Sequence, residues 1–251
     1  MTLQVLELFS GTGSVGKVCN QLGWGVVSVD MILPATHKVD IMQFDYKQYP
    51  KDAFDIVWAS PPCTAYSNLQ SCWLGRKKKD GIFTQEKMDS EMNDADRIVQ
   101  KAQEIIEYFN PQWWFIENPQ TGKLKKREFM KDIPFYDVDY CMYSDWGYQK
   151  RTRIWTNKKD WNNKLCDKSG ACGNMIDSQT SRKKHRLNVS KDVHTVGEQF
   201  EKEKIRMKHK STCDGGYDKR KKKVEGQINA GITQLDRYRI PEDLILSLFL
   251  E

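Results

Sequence analysis

An apolar run, a glycine turn, a short helix pattern and a second apolar run ending in an acid fill the first thirty residues. No other stretch narrows the fold so far. "LQVLELF" (Leu3 to Phe9) leans apolar throughout and is bounded by glycine, so it reads as a buried strand. "GTGSVGKVCNQLGWG" follows, with glycines at 11, 13 and 16 and apolar residues at Val15, Val18 and Leu22. "VVSVD" then closes a second strand on Asp30. Strand, glycine turn, helix and strand in this order make a right-handed parallel unit. The turn lets a ligand approach the backbone, and the helix start offers free N–H donors.

The alternation continues. "FDIVWAS" (Phe54 to Ser60) is a third strand, and it stops on Pro61 and Pro62, neither of which can donate a ladder hydrogen bond. "ADRIVQKAQEIIEYF" carries Ile98, Ala102, Ile105, Ile106 and Phe109 at helical spacing, with Asn93 or Asp94 as its cap. "WWFIENP" is a strand ended by Pro119, and "VDYCMYSDWGYQKRTRIWTN" reads as two strand-like pieces around a turn at Asp145 to Gly147. This predicts an α/β fold with a mostly parallel sheet and helices on both faces. Residues 1–156 form the main domain, 157–231 a small basic region, and 232–251 a segment that packs back on the body.

Charge separates the same regions. Asn157 to Lys223 holds 19 Lys and Arg against 9 Asp and Glu, a net of +10, so the rest of a chain of net +6 carries −4. A basic segment beside a mildly acidic body points to a polyanion met in one place; a lysine-rich solvated insert has the same composition. No apolar run is long enough for a membrane span and no signal-peptide pattern opens the chain, so an intracellular, soluble protein is expected. Seven irregularly spaced cysteines argue against a disulfide framework and for free thiols, a metal site or a catalytic thiolate.

The chemistry-bearing residues cluster at strand ends. Asp30 is placed to accept from ribose hydroxyls. The glycine turn alone would suit NAD or FAD as well, but a second acid, Asp40 in "VDIMQF", favours a different adenosine cofactor. Cys63 sits on the stiff turn after Pro61 and Pro62, where open α/β sheets bind ligands. "FIENP" brings Glu117 and Asn118 to the same layer. In "YQKRTRIW", Arg151 and Arg153 alternate with Lys150 and Thr152, so an extended strand points both guanidinium groups to one face. Read singly, each motif also fits a bland strand end or charged surface.

Glycine turn, Asp30, Pro-Pro-Cys, Glu-Asn-Pro and Gln-x-Arg-x-Arg, followed by a basic variable region, resemble the DNA cytosine-5 methyltransferase family, and its compact viral and phage members in particular. The resemblance covers the first 157 residues well and the last 20 weakly. It implies a Rossmann-like domain using S-adenosylmethionine (SAM), acting on double-stranded DNA, and a monomer. It implies Cys63 as nucleophile toward cytosine carbon 6, Glu117 as the acid at ring nitrogen 3, and Asn118 as a holder of that glutamate or the base. Arg151 and Arg153 would clamp the base oxygen or a phosphate and favour the thiolate. Phe9, Ser10, Gly11, Gly13, Asp30, Asp40, Ile41 and Pro61 would line the cofactor pocket. Ser67 and Gln149 would face DNA. The base must leave the stack to be reached, so the long polar loop Thr64 to Glu91 is expected to close over it, with Arg76, Lys77, Lys78 and Lys79 on phosphates. Trp161, Tyr217 and the run Asp218 to Lys223 are further candidate DNA contacts.

The chain departs from the family in having Pro119 after Glu-Asn, threonine after Pro-Cys, and no evident late Gly-Asn motif. An RNA cytosine-5 methyltransferase acting on transfer RNA uses the same residues, and a non-catalytic nucleic-acid-binding relative is the non-enzyme alternative. Finally, Cys166, Cys172 and His185, with Cys141 upstream, are candidate ligands for a structural zinc in a lobe too polar to build its own core.

Overall fold

The computed structural model describes residues 2–78, 80–177, 183–188 and 234–251. Ten strands run in chain order: β1 Gln4–Leu8, β2 Gly25–Val29, β3 Ile56–Ala59, β4 Lys77–Lys78, β5 Gly81–Ile82, β6 Trp113–Pro119, β7 Phe135–Asp139, β8 Arg151–Thr156, β9 Met175–Ile176 and β10 Lys184–His185. Among the described residues four helices join them: α1 Ser14–Gln21, α2 Gln85–Phe109, α3 Gln234–Tyr238 and α4 Glu242–Leu250. Six strands form one sheet in the order β2-β1-β3-β6-β8-β7, in which only β8 runs antiparallel to its neighbours. This is the mostly parallel α/β architecture expected of the sequence.

Both faces of the sheet are covered. Leu6, Leu8, Val57, Ala59 and Ile116 pack against the α2 stripe Val99, Ala102, Ile105, Ile106 and Phe109. Val5, Ile56, Trp58, Phe115 and Ile154 pack on the other face against Val15 and Val18 of α1 and Leu244, Ile245, Leu248 and Phe249 of α4. The C-terminal segment therefore belongs to the core of this face. Its start is tied to the glycine turn, because Ile240 N–H donates to Ser14 Oγ at 3.1 Å.

Three sequence expectations need correction. The strand-like piece expected at "VDYCMYS" is strand only at Val138 and Asp139, because β7 ends there and Tyr140–Met142 form a short 3-10 helix. Helix α2 starts ten residues earlier than its "ADRIV" pattern suggests. Thr84 rather than Asn93 or Asp94 caps it, its hydroxyl accepting from Lys87 N–H at 3.2 Å, and Met88 and Met92 extend the buried stripe. The loop after Cys63 thus ends at Thr84, and residues 85–91 are helical. Trp161 is no surface contact either. It is 5% exposed and packs edge-on to Tyr136 at 5.3 Å. Tyr217, Asp218 to Lys223 and most of the proposed basic region lie outside the described residues, as does Lys79. Among the described residues no helix is long and apolar enough to cross a membrane.

Candidate active site

Strands β1, β2, β3 and β6 are parallel, so their carboxyl ends share one rim, and the chemistry-bearing residues collect there. At β1 the chain turns through Phe9, Gly11 and Gly13, with φ of 58°, 52° and 66°. Left-handed backbone is cheap for glycine but strained for phenylalanine. What holds Phe9 there is a hydrogen-bond frame. Ser10 N–H donates to Val29 carbonyl, Gly13 N–H to Ser10 carbonyl, and Gly11 N–H to Asp30 Oδ2 at 2.9 Å. Asp30 Oδ1 accepts from Ile32 and Leu33 N–H, so this side chain joins the turn to the loop after β2. Asp40 caps the next short turn through Met42 N–H, with Ile41 buried beneath it.

Glu7 lies under the same turn. Its two oxygens accept from Val15 and Gly16 N–H at the start of α1. Burial nonetheless pushes its carboxyl up to about 7, partly offset by those two hydrogen bonds. Ser10 Oγ is buried with no partner, next to a helix start whose N-cap, Gly13, offers no side chain. An unpaired buried hydroxyl and a helix N-terminus beside a glycine turn suit an adenosine cofactor.

Cys63 is partly exposed and held from both sides. Tyr66 N–H donates to Cys63 carbonyl at 3.1 Å, while the fully buried Tyr66 ring sends its hydroxyl to Asp96 of α2 at 2.9 Å. On the other side, Asn118 Nδ2 donates to Pro61 carbonyl at 2.9 Å, clamping the Pro-Pro-Cys turn to the end of β6. Asn118 Oδ1 stays buried and unpaired. The thiol is pushed above its usual range, first by burial and then by the charge of Glu117, with Lys150 acting in the opposite direction. Cys63, Glu117 and Lys150 are therefore one electrostatic unit.

Glu117 itself is buried, and its Oε1 accepts from Tyr140 hydroxyl at 2.8 Å and from Lys150 Nζ at 3.5 Å. Sequence reasoning missed Lys150 and Tyr140. The register explains why. Glu117 pairs with Ile154, so Lys150, Thr152 and Ile154 share its face of the sheet. Arg151 and Arg153 do share a face, but it is the opposite one. Each is closed by a two-point ion pair: Arg151 with Asp139 (3.1 and 2.7 Å) and Arg153 with Asp137 (2.7 and 2.8 Å). Arg153 also stacks on Phe135 at 3.5 Å. The structure thus brings Lys150, rather than the two arginines, to Glu117. The alternation was visible in the sequence, but which parity faces Glu117 depends on strand pairing.

The remaining expected residues surround this rim. Ser67 caps a short turn through Leu69 N–H, and Gln149 precedes Lys150, half-buried. Arg76 and Lys77 are exposed on the small hairpin β4–β5. Lys78 turns inward instead, onto the Phe83 ring at 3.4 Å and to Gln70 Oε1 at 3.2 Å, so it is already engaged. Leu69, Trp73 and Ile82 stand exposed on the same loop.

No family model matches the chain. A curated viral protein does. The "Probable DNA (cytosine-5)-methyltransferase" of Frog virus 3 (isolate Goorha) is 35% identical over 249 residues, 98% of each chain. The chain belongs to the DNA (cytosine-5)-methyltransferase family. Among solved structures it is similar to the Entamoeba histolytica methyltransferase EhMeth (15% identity, TM-score 0.45, 66% of this chain and 56% of that one). It is also similar to the S. pombe Dnmt2 methyltransferase (12% identity, TM-score 0.39, 76% of this chain and 61% of that one). This chain therefore spans little more than half the length of those two structures. SAM is the methyl donor expected of this family.

Proposed function

We propose that this protein transfers a methyl group from SAM to carbon 5 of cytosine in double-stranded DNA, through a covalent bond between Cys63 and carbon 6. The observation that carries the reading is the placement of Cys63 on a turn that Asn118, the residue after Glu117, clamps to the end of β6, at the rim that holds the glycine turn. Carbon 5 of cytosine is too electron-poor to attack a sulfonium methyl, and addition of a thiolate to carbon 6 makes it nucleophilic.

The residues suit that sequence of events. Cys63 gives up its proton, and Glu117, the carboxylate whose charge acts on it, takes it and passes it to ring nitrogen 3 as sulfur bonds to carbon 6. Lys150 lowers the cost of both anions, since it acts on Cys63 and lies 3.5 Å from Glu117. When bound, SAM supplies an electrophilic methyl to carbon 5. Loss of the carbon 5 proton to water then expels Cys63, restoring the thiol as nitrogen 3 returns its proton. Ser10, Gly11, Gly13 and Asp30 would hold the cofactor at the turn, with Phe9, Asp40, Ile41 and Pro61 around it. The loop 64–84 would cover the extruded base, its exposed Leu69 and Trp73 facing the gap in the stack and Arg76 and Lys77 the phosphates. Ser67 and Gln149 would add backbone contacts.

The deciding experiment offers a duplex containing 5-fluorocytosine together with SAM. A denaturation-resistant complex that vanishes in Cys63→Ser is the expected result, because fluorine cannot leave as a proton does. Trapping on transfer RNA but not on duplex DNA would move the substrate to RNA. No trapping on either would leave a binding protein.

A further inference from the structure

Four soft ligands meet away from the active-site rim. Cys141 lies between β7 and β8, Cys166 and Cys172 follow β8, and His185 is in β10. The three sulfurs and a ring nitrogen of His185 all lie within 4.8 Å of one another. His185 Nε2 is 3.7 Å from both Cys166 Sγ and Cys172 Sγ. We infer that Cys141, Cys166, Cys172 and His185 form a structural zinc site that fastens the small lobe to the catalytic sheet.

Geometry is the first support. Tetrahedral zinc with bonds of about 2.3 Å to sulfur and 2.0 Å to nitrogen separates its ligands by about 3.5–3.8 Å. The His185 contacts already match, and the widest separation has only to close by about 1 Å. All three thiols are free of disulfides. Thiols are weak hydrogen-bond donors and acceptors, so three of them and an imidazole gain little from one another without an ion.

The surrounding lobe supplies the second support. Among the described residues from 162 to 188, only Cys166 and Asn174 are buried. A segment with no apolar core holds a fixed shape only through a staple of another kind. Asn174 shows how tightly the shape is specified. Its amide nitrogen donates to the carbonyls of Cys141, Ser144 and Cys172, and its Oδ1 accepts from Gly147 N–H. Asp139, fully buried, accepts from Cys166 N–H and from Arg151. The ligands are thus wired to the β7–β8 turn, a few residues from Gln149 and Lys150. Closed four-ligand coordination leaves no open position, so the metal's role here is structural rather than catalytic.

Metal analysis of the full chain, expressed with zinc present, tests this. The expected result is about one zinc per chain, and, after exchange with cobalt, the intense visible bands of a tetrahedral thiolate site. Cys172→Ser and His185→Gln, both at partly exposed positions, should each weaken zinc by more than about tenfold. Cys72→Ser and Cys63→Ser should keep it. A wild-type chain without zinc or a cobalt spectrum overturns the inference, as does unchanged metal in both ligand variants. Cys63→Ser retains the metal while losing turnover, so failure of the zinc site and failure of the proposed catalysis are separately visible.

Discussion

Two thiol environments sit in one chain, and they differ in what surrounds the sulfur. Cys63 stands alone among charges: burial and then a carboxylate raise its affinity for a proton, and an ammonium opposes them. Cys141, Cys166 and Cys172 stand together with an imidazole, wired by backbone bonds through Asn174. The rim around Cys63 also keeps awkward groups, including Glu7 with its carboxyl pushed up to about 7 and the unpaired Ser10 Oγ and Asn118 Oδ1. Among the described residues the cluster leaves no buried nitrogen or oxygen of its own unpaired. Unsatisfied and protonation-poised groups mark a place that waits for a ligand and a reaction. Convergent soft ligands mark a place built to be filled once.

The comparison can be broken most directly at the proposed nucleophile. Cys63→Ser should lower kcat at least about 1,000-fold with zinc content unchanged; single-turnover methyl transfer on duplex DNA measures it, and near-normal turnover would erase the distinction. Next in size is Glu7. Its folded value is raised from 4.5 to about 7, so between those pH values the folded state binds the extra proton and stability falls as pH rises. Urea unfolding should show wild type losing about 3 kcal/mol relative to Glu7→Gln from below pH 4.5 to above pH 7. A flat difference would mean the rim does not store that strain.

Metal removal probes the other side. Stripping zinc with a chelator should lower Tm by about 4–8 °C, the equivalent of about 2 kcal/mol. Metal-stripped and loaded protein melting together would deprive the cluster of its structural role. The smallest effect should be on the reactivity of Cys63. At fixed neutral pH, iodoacetamide should alkylate it about 3–10-fold faster in Glu117→Gln and slower by a similar factor in Lys150→Met. Equal rates would mean that Cys63 does not feel its two charged neighbours.

Much of this was legible in advance, for reasons that are local. Glycines at 11 and 13 fix a turn because only they take left-handed backbone freely, and the largely apolar runs at β1, β3 and β6 reveal strands covered on both faces. The stop at Pro61 located Cys63 with equal economy. The start of α2 was hidden, because "TQEKMDSEMN" is too polar to announce a buried stripe carried by Met88 and Met92 alone.

Sequence alone determined the order of the main elements, the turn chemistry and the candidate reactive groups, since these depend on neighbours along the chain. Tertiary structure decided which cation reaches Glu117, because a strand offers two faces and only the pairing of Glu117 with Ile154 selects Lys150 over Arg151 and Arg153. It decided equally that Cys141 meets Cys166, Cys172 and His185, four candidates the sequence could name but, spread over 45 positions, could not bring together.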